Sequence, residues 1–382
     1  MMSLDTINIA SAVEAARQSD VASLFCGSSS ASLARDYNET NCGEGFDLAD
    51  LALTGAQGKL IKAIHATGKP VILVLVTGKP FSIAWEKKHI PAILIQWYAG
   101  EQEGSSIANI LFGKTNPSGH LTVSFPQSSG HLPAYYNYLP TDRGFYHKPG
   151  SYEQPGRDYV FSSPGPLWAF GHGLTYTTFN YTDMQIQQSV DSIKVFVTVK
   201  NTGRWAGKAV PQLYVRDVFS SISTPVKQLK AFNKVALEPG ETTRVPLHFA
   251  VQDLALTDEA GKTMVEPGSF EIMIGDASDH ILLKQTISIG QNMAVSPCSI
   301  KEQLPEEIGK GNIIHIKGVV RDVQATPVDK VEIYSTEQQQ VIGVTDQNGK
   351  YFIDAPEDDV LVYCNSGYLD EKVNVARQND IP

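Results

Sequence analysis

The 382 residues exceed what one hydrophobic core ordinarily serves, so two or three domains are expected. Hydrophobic residues make up 42% and charged residues 19% of the chain, a globular balance, and the net charge of −10 argues against nucleic acid and against an anionic membrane surface as partners. No apolar run approaches the roughly 20 residues of a membrane-spanning helix. The opening residues lack a basic stretch followed by an apolar one, so no signal peptide is expected within this sequence, which taken literally reads as cytoplasmic.

Ala10 to Ser19 carries apolar Ala10, Val13 and Ala16 at helical spacing. "VASLFCG" (21–27) is short, apolar and β-like, and predicts a buried strand. It leads into "NETNCGEGFD" (38–47), a loop-like run holding Glu39 and Glu44, the latter between Gly43 and Gly45. Asp47 and Asp50 are expected to cap a helix starting near Leu51. "GAQGKLIKAIHATGK" predicts a helix with Leu60, Ile61 and Ile64 on one face, Gly68 at its C′ position and Pro70 as a stop. "VILVLVTG" predicts a fully buried strand, "FSIAWEKKH" a short helix, "PAILIQWYAG" another buried strand and "EQEGSSIANILFG" a helix ending at Gly113. Alternating strands and helices with continuously apolar strands imply a mostly parallel sheet covered on both faces. In such sheets ligands meet the loops beyond the strands' carboxyl ends, which is where "NETNCGEGFD" begins.

Residues 115–180 are dense in Pro, Gly and aromatics, an unusually long irregular stretch of the kind that often serves function. Tyr135, Tyr136, Tyr138, Phe145, Tyr146, Tyr152, Tyr159 and Trp168 either line a carbohydrate subsite or pack this segment onto its domain. From 184 to 290 the chain is strand-like throughout, with Ile193, Val195, Val197 and Val199 alternating on one face and turn signals between short runs. That is the pattern of an immunoglobulin- or fibronectin III-type sandwich. Residues 291–311 read as a linker, and 312–382 as a small third β-rich domain with a hairpin at Gln347-Asn348-Gly349.

Several runs carry a resemblance. "GEGFDLADLALTGAQGKLIKAI", "QWYAGEQEGSSIANILFGKTNPSGHLTVSFPQS" and "PLWAFGHGLTYTTFNY" resemble signatures of the family 3 glycoside hydrolases, the β-glucosidase-type enzymes. "VTVKNTGRWAGKAVPQLYVRD", "VKQLKAFNKVALEPGET" and "EPGSFEIMIGDASDHI" resemble the fibronectin III-like domain that follows in many of them, and "IKGVVRD" with "VTDQNGKYFIDAPEDDVLVYCNSGYLDEKV" resembles a carboxypeptidase regulatory-like sandwich. The expectation is therefore an α/β sandwich domain over 1–183, a fibronectin III-like domain over 184–290, the linker, and a small β-sandwich over 312–382.

The resemblance implies retaining hydrolysis of β-linked glucosides or xylosides. It places the general acid/base on the glutamate of the Gly-Glu-Gly-aromatic-Asp pattern, Glu44, with Glu39 in "YNET" as its competitor. Leu48 stands where the family has an arginine, which alters the charges around that motif. Family members carry their aspartate nucleophile on an N-terminal barrel that these residues do not resemble. The chain thus reads as the C-terminal portion of such an enzyme, either a truncated gene, a fragment or one half of a split enzyme served by a separate barrel domain, inactive alone and with an exposed barrel-facing surface prone to self-association. The alternative is a non-catalytic module binding a partner or a glycan. Members of the family are often periplasmic or secreted.

No cofactor or metal is expected. Cys26, Cys42, Cys298 and Cys364 form no zinc pattern, and His120, His131 and His147 have no ligand spacing. Cys26 and Cys364 read as small buried hydrophobes, Cys42 as a loop thiol, His172 as a backbone-bonding turn residue, and Glu101 and Glu103 as helix-start carboxylates. "TGKP" (77–80) lacks the rest of a phosphate loop, and no Gly-x-Ser-x-Gly elbow supports an esterase.

Overall fold

A computed structural model describes residues 6–28, 48–140, 162, 164–290, 293–294, 313–321, 326–328, 330–335, 340–356, 360–364 and 371–374. The chain divides into two compact units, Met1–Leu254 with Pro267–Gln291, and Ala255–Glu266 with Asn292–Pro382. Among the described residues no helix is long and apolar enough to cross a membrane.

The first unit opens with α1 (Ile9–Arg17), β1 (Ala22–Gly27), α2 (Gln57–His65), β2 (Val71–Val76), α3 (Ala84–His89), β3 (Ala92–Gln96) and α4 (Glu103–Leu111). The three strands form one sheet in the order β1-β2-β3, and both pairings are parallel. Ile61 and Ile64 of α2 and Ala16 of α1 are buried with Val71, Leu73 and Leu75 of β2. Phe81, Ile83 and Ile90, which flank and begin α3, join the same core, as do Phe125 and Leu167 from the irregular segment. Burying most of β2 on both faces is what its unbroken apolar run dictates.

Two expectations need correction here. Asp50 caps no helix: α2 starts at Gln57, and the Asp50 carboxylate accepts from Ala52 N–H at 3.1 Å in a local turn instead. Gly68 lies beyond the C′ position, because α2 ends at His65 with Ala66 as its cap; its φ of +77° serves the following turn, where its N–H reaches the His65 carbonyl at 3.0 Å.

The rest of this unit is a sandwich. One sheet has the order β10-β5-β4, from Thr242–Ala250, Ser192–Asn201 and Phe179–Gln188. The other has the order β14-β13-β7-β8, from His280–Ile289, Gly268–Ala277, Gln212–Asp217 and Gln228–Phe232. A short pair, β6 (Gly207–Ala209) with β9 (Val235–Leu237), completes it. Ile193, Val195, Val197 and Val199 of β5 are fully buried, as their alternation requires, together with Leu213, Phe270, Ile272 and Ile274 of the facing sheet.

The sandwich is stitched to the parallel-sheet region by side chains. The Gln212 amide donates to the carbonyls of Gly171 (3.0 Å) and Asp276 (2.7 Å), and its oxygen accepts from Tyr214 O–H. Gly171, with φ of +82°, leaves room for this: a Cβ there would lie 2.1 Å from the Gln212 side-chain oxygen. Asn201, fully buried, donates to the carbonyls of Trp205 and Leu237 and accepts from Thr177 O–H and Gly203 N–H.

The second unit holds β11 (Leu256–Thr257), β12 (Thr263–Val265) and β15 (Met293–Ala294) as one antiparallel sheet. β15 falls in the stretch expected to be a linker. β16 (Ile313–Val319) pairs with β19 (Lys350–Pro356), and β17 (Glu332–Ser335), β18 (Gln340–Val344), β20 (Val360–Cys364) and β21 (Glu371–Asn374) form a sheet in the order β18-β17-β20-β21. Ile316, Ile333, Tyr351, Ile353, Ala355 and Leu361 make its core.

Candidate functional site at the carboxyl edge of the parallel sheet

Because β1, β2 and β3 are parallel and in register at Gly27, Val76 and Gln96, all three carboxyl ends lie along one edge. The ladder continues one residue further: Ser28 N–H donates to the Val76 carbonyl at 2.9 Å, and Thr77 N–H to the Gln96 carbonyl at 3.0 Å. Beyond that point the side chains take over. Tyr98 O–H donates to the Ser28 carbonyl at 3.0 Å and lies 3.0 Å from the Ser28 hydroxyl, which is 3.4 Å from the Thr77 hydroxyl. Thr77 in turn donates to the Lys79 carbonyl at 2.8 Å and accepts from Lys79 N–H. Gly78 is required here for close approach, since a Cβ would stand 2.8 Å from the Tyr98 ring.

Gly27 is held from the other side by Gln57, the first residue of α2. The Gln57 side-chain oxygen accepts from Gly27 N–H at 2.6 Å, and its amide donates to the carbonyls of Gly27 (2.9 Å) and Thr54 (3.1 Å). A side-chain amide thus supplies pairing to the side of β1 that faces away from β2, where no strand lies among the described residues. Gly27 has φ of +146°, and a Cβ there would lie 1.8 Å from the Val76 carbonyl oxygen.

Glu39 and Glu44 lie outside the described residues, as do Asp47, Cys42, Cys298 and His147. The described chain on either side is firmly tied. Ser28 is its last residue before them, and Leu48 its first after. On the far side, Ser129 O–H donates to the Asp50 carboxylate at 3.1 Å and accepts from Leu51 N–H at 3.0 Å, while Ser82 N–H donates to the Leu51 carbonyl at 2.8 Å. The Ala52 N–H and then the Ser129 hydroxyl hold the Asp50 carboxyl below its usual range.

The other candidates settle into structural places. Tyr136 stacks on Phe170 at 4.2 Å and accepts from Leu229 N–H at 3.0 Å, and Trp168 packs edge-on against Phe125, so both fasten the irregular segment. Tyr135 is exposed, and the Tyr138 carbonyl accepts from Val226 N–H. Phe145, Tyr146, Tyr152 and Tyr159 lie outside the described residues. Glu103 sits in the first turn of α4, with Glu101 just before it. The His172 backbone bonds Leu121 and Ala169. His131 is buried and accepts Gln127 N–H at Nδ1 while Nε2–H donates to the Pro164 carbonyl, which fixes its neutral tautomer. Cys26 is buried, and burial, then the nearby Glu86 carboxylate, pushes its thiol up to about 11, so it stays an unreactive thiol. Among the described residues no group of three or more His, Cys, Asp or Glu side chains gathers to hold a metal.

Gln57, Ser28, Thr77, Tyr98 and Ser129 are absent from the sequence-based candidates. The only local signals were the glycines at the ends of the two apolar strands, Gly27 and Gly78; Gln57 and Ser129 meet their partners across 30 and 78 residues of chain.

Comparison with known proteins agrees with this architecture. Residues 5–176 match the glycosyl hydrolase family 3 C-terminal domain, and residues 209–278 the fibronectin type III-like domain. A β-xylosidase of Formosa agariphila is 40% identical over 286 residues, covering 73% of this chain and 36% of that protein. A periplasmic β-glucosidase of Salmonella typhimurium is 39% identical over 275 residues, covering 71% and 34%. The crystal structure of a Listeria innocua β-glucosidase bound to glucose superposes with a TM-score of 0.67 at 31% identity, over 76% of this chain and 39% of that one. The chain thus spans about a third of the length of the curated relatives it matches. The parallel-sheet region carrying the clamped edge is a family 3 glycosyl hydrolase C-terminal domain, and the sandwich behind it is a fibronectin type III-like domain.

Proposed function

We propose that this chain supplies the acid/base half of a retaining β-glycosidase acting on nonreducing-end β-linked glucosides or xylosides. Glu44 is the proton donor, with Glu39 as its competitor. The observation that carries this is the match of residues 5–176 to the family 3 C-terminal domain, with the glutamate-bearing segment leaving the carboxyl edge of its parallel sheet. Relatives named β-glucosidase and β-xylosidase support the substrate class.

Retaining hydrolysis needs two carboxyl groups about 5–5.5 Å apart, one attacking the anomeric carbon and one protonating the departing oxygen, then deprotonating water. The donor keeps its proton at neutral pH only when desolvation or the partner's negative charge raises its pKa. The nucleophile comes from a barrel domain outside these 382 residues, and closing that domain over Glu44 creates the environment its role demands. We read residues 312–382 as a carboxypeptidase regulatory-like sandwich, and expect the uncovered chain to self-associate in light scattering.

The test is turnover of an aryl β-glucoside by the chain alone, by the chain with a separately made family 3 barrel domain, and by the same pair carrying Glu44→Gln or Glu39→Gln. Activity only in the pair, lost with Glu44→Gln, is the expected result. No turnover in any combination, with heat released on titration of oligosaccharide, would leave the alternative of a glycan-binding module.

A further inference from the structure

We propose that the loop joining β7 to β8 binds one sugar residue of a neutral glycan, with Arg216, Asp217 and Ser223 as its polar contacts and Phe219 as its stacking face. This goes beyond the acid/base reading and does not depend on it, because all four residues lie in the fibronectin type III-like domain.

The loop is longer than its task requires. β7 and β8 pair antiparallel, and about two to five residues ordinarily join such a pair. Here residues 218–227 intervene. The extra chain encloses a cavity of about 300 Å³, at the lower end of ligand sites and the size of one sugar ring rather than of a chain.

The loop is also preformed. Val218 N–H donates to the Ser269 carbonyl at one end and Val226 N–H to the Tyr138 carbonyl at the other, both at 3.0 Å. Between them the Ser220 hydroxyl donates to the Ile222 carbonyl at 2.7 Å and lies 3.0 Å from the Thr224 hydroxyl. The Asp217 carboxylate accepts Phe219 N–H at 3.2 Å. A cavity fixed by its own hydrogen bonds needs little ordering when it takes a ligand.

The lining carries unused bonding capacity. Arg216 stands opposite Glu271 in the pairing of β7 with β13, yet their side chains approach only to 3.6 Å, and Lys284 holds the other Glu271 oxygen. That ion pair keeps the guanidinium in place while leaving its N–H groups for a ligand. The Ser223 hydroxyl has no hydrogen-bond partner among the described residues. Phe219 lines the cavity and is nonetheless 86% exposed.

These groups select the ligand class. A donor at Arg216 beside an acceptor at Asp217 suits neighbouring hydroxyls of a pyranose, each of which both donates and accepts. A carboxylate or sulfate would meet the like charge of Asp217. An apolar ligand would strip water from both charges and return no hydrogen bond. The C–H face of a sugar ring packs on an aromatic side chain, which gives Phe219 a partner that solvent does not.

The experiment follows saturation transfer by NMR from the full chain to cellobiose, xylobiose and glucuronate. We expect transfer to both neutral disaccharides and less to glucuronate. Phe219→Ala should weaken binding several-fold. Arg216→Lys, which keeps the charge opposite Glu271 but loses the planar fork, should weaken it about tenfold. Ser223→Ala should have a smaller effect in the same direction, and Trp205→Ala, at another exposed aromatic of the sandwich, should have none. All four positions are exposed, so the unfolding temperature should stay at the wild-type value and the losses report contact rather than folding. No transfer to either disaccharide, transfer unchanged in both Phe219→Ala and Arg216→Lys, or loss in Trp205→Ala instead, each overturns the site. Stronger transfer to glucuronate than to the neutral sugars overturns the ligand class. None of these outcomes bears on Glu44, whose test is turnover.

Discussion

β2 and β5 are both apolar-rich strands at the centre of their sheets, yet they are covered differently. In β2 the adjacent residues Leu73 and Val74, which point to opposite faces, are both completely buried. In β5 burial alternates: Val195, Val197 and Val199 are inside, while Lys194 and Lys200 are exposed and Phe196 and Thr198 half-covered. A strand covered on both faces, as β2 is, has no side chain left to offer a ligand, so any chemistry there falls to the end of the strand. In the sandwich β5 keeps an outer face, whereas β7 and β13 of the other sheet are buried on both. The clamped residues around Gly27 and Ser28 therefore belong to the first architecture, where irregular backbone is confined to the strand ends and must be held there by side chains.

Substitutions on the two strands should separate these architectures. The largest effect is expected for Leu73→Ala, a cavity at a fully buried site, at about 2–5 kcal/mol in denaturant unfolding. Isosteric replacements then test parity. Val74→Thr in β2 and Val197→Thr in β5 each bury a hydroxyl among apolar neighbours and should cost about 1–3 kcal/mol. Replacing Leu73 as well as Val74 is costly because both faces are covered. In β5 the neighbouring Thr198→Val should stay within about 0.5 kcal/mol. Should Val74→Thr prove as harmless as Thr198→Val, the second face of the parallel sheet is not packed and the contrast collapses.

The same contrast explains what the sequence made legible. Val195, Val197 and Val199 announce their face by period alone, and "VILVLV" announces burial on both faces by lacking a period. α1 follows from helical spacing, and α2 and α4 from helical spacing with a glycine beyond each end, within two residues. Asp50 departs from the expected cap because an Asx turn and a helix cap use the same short carboxylate, and only the Ala52 and Ser129 partners tell them apart. Gln57 was invisible for a different reason. A glutamine at a helix start carries no signal of its own, and its meaning comes from Gly27, brought beside it by the fold. Resemblance could point to Glu39 and Glu44, but the bonds that Gln57 makes to Gly27 and Ser129 to Leu51 are defined by distances between remote parts of the chain.

The smallest expected effect lies at the seam between the two architectures, where two histidines are partly buried. His120 faces Lys234, Asp276 and His172; His172 faces Asp279, Lys87 and Asp276. Burial is the largest influence on both and lowers both, outweighing the attraction of the aspartates. The unfolded chain therefore takes up these two protons more readily than the folded one. Stability from this source is complete above the ordinary imidazole value of 6.5 and declines as pH falls from there toward the lowered folded values. Thermal unfolding of the chain should shift down between neutral and mildly acidic buffer, and His120→Gln with His172→Gln should flatten that slope while leaving the Leu73→Ala penalty unchanged. A slope that survives the double substitution would move its source away from the seam, and a Leu73→Ala penalty that changed with it would show that the sheet core and the seam unfold as one coupled element.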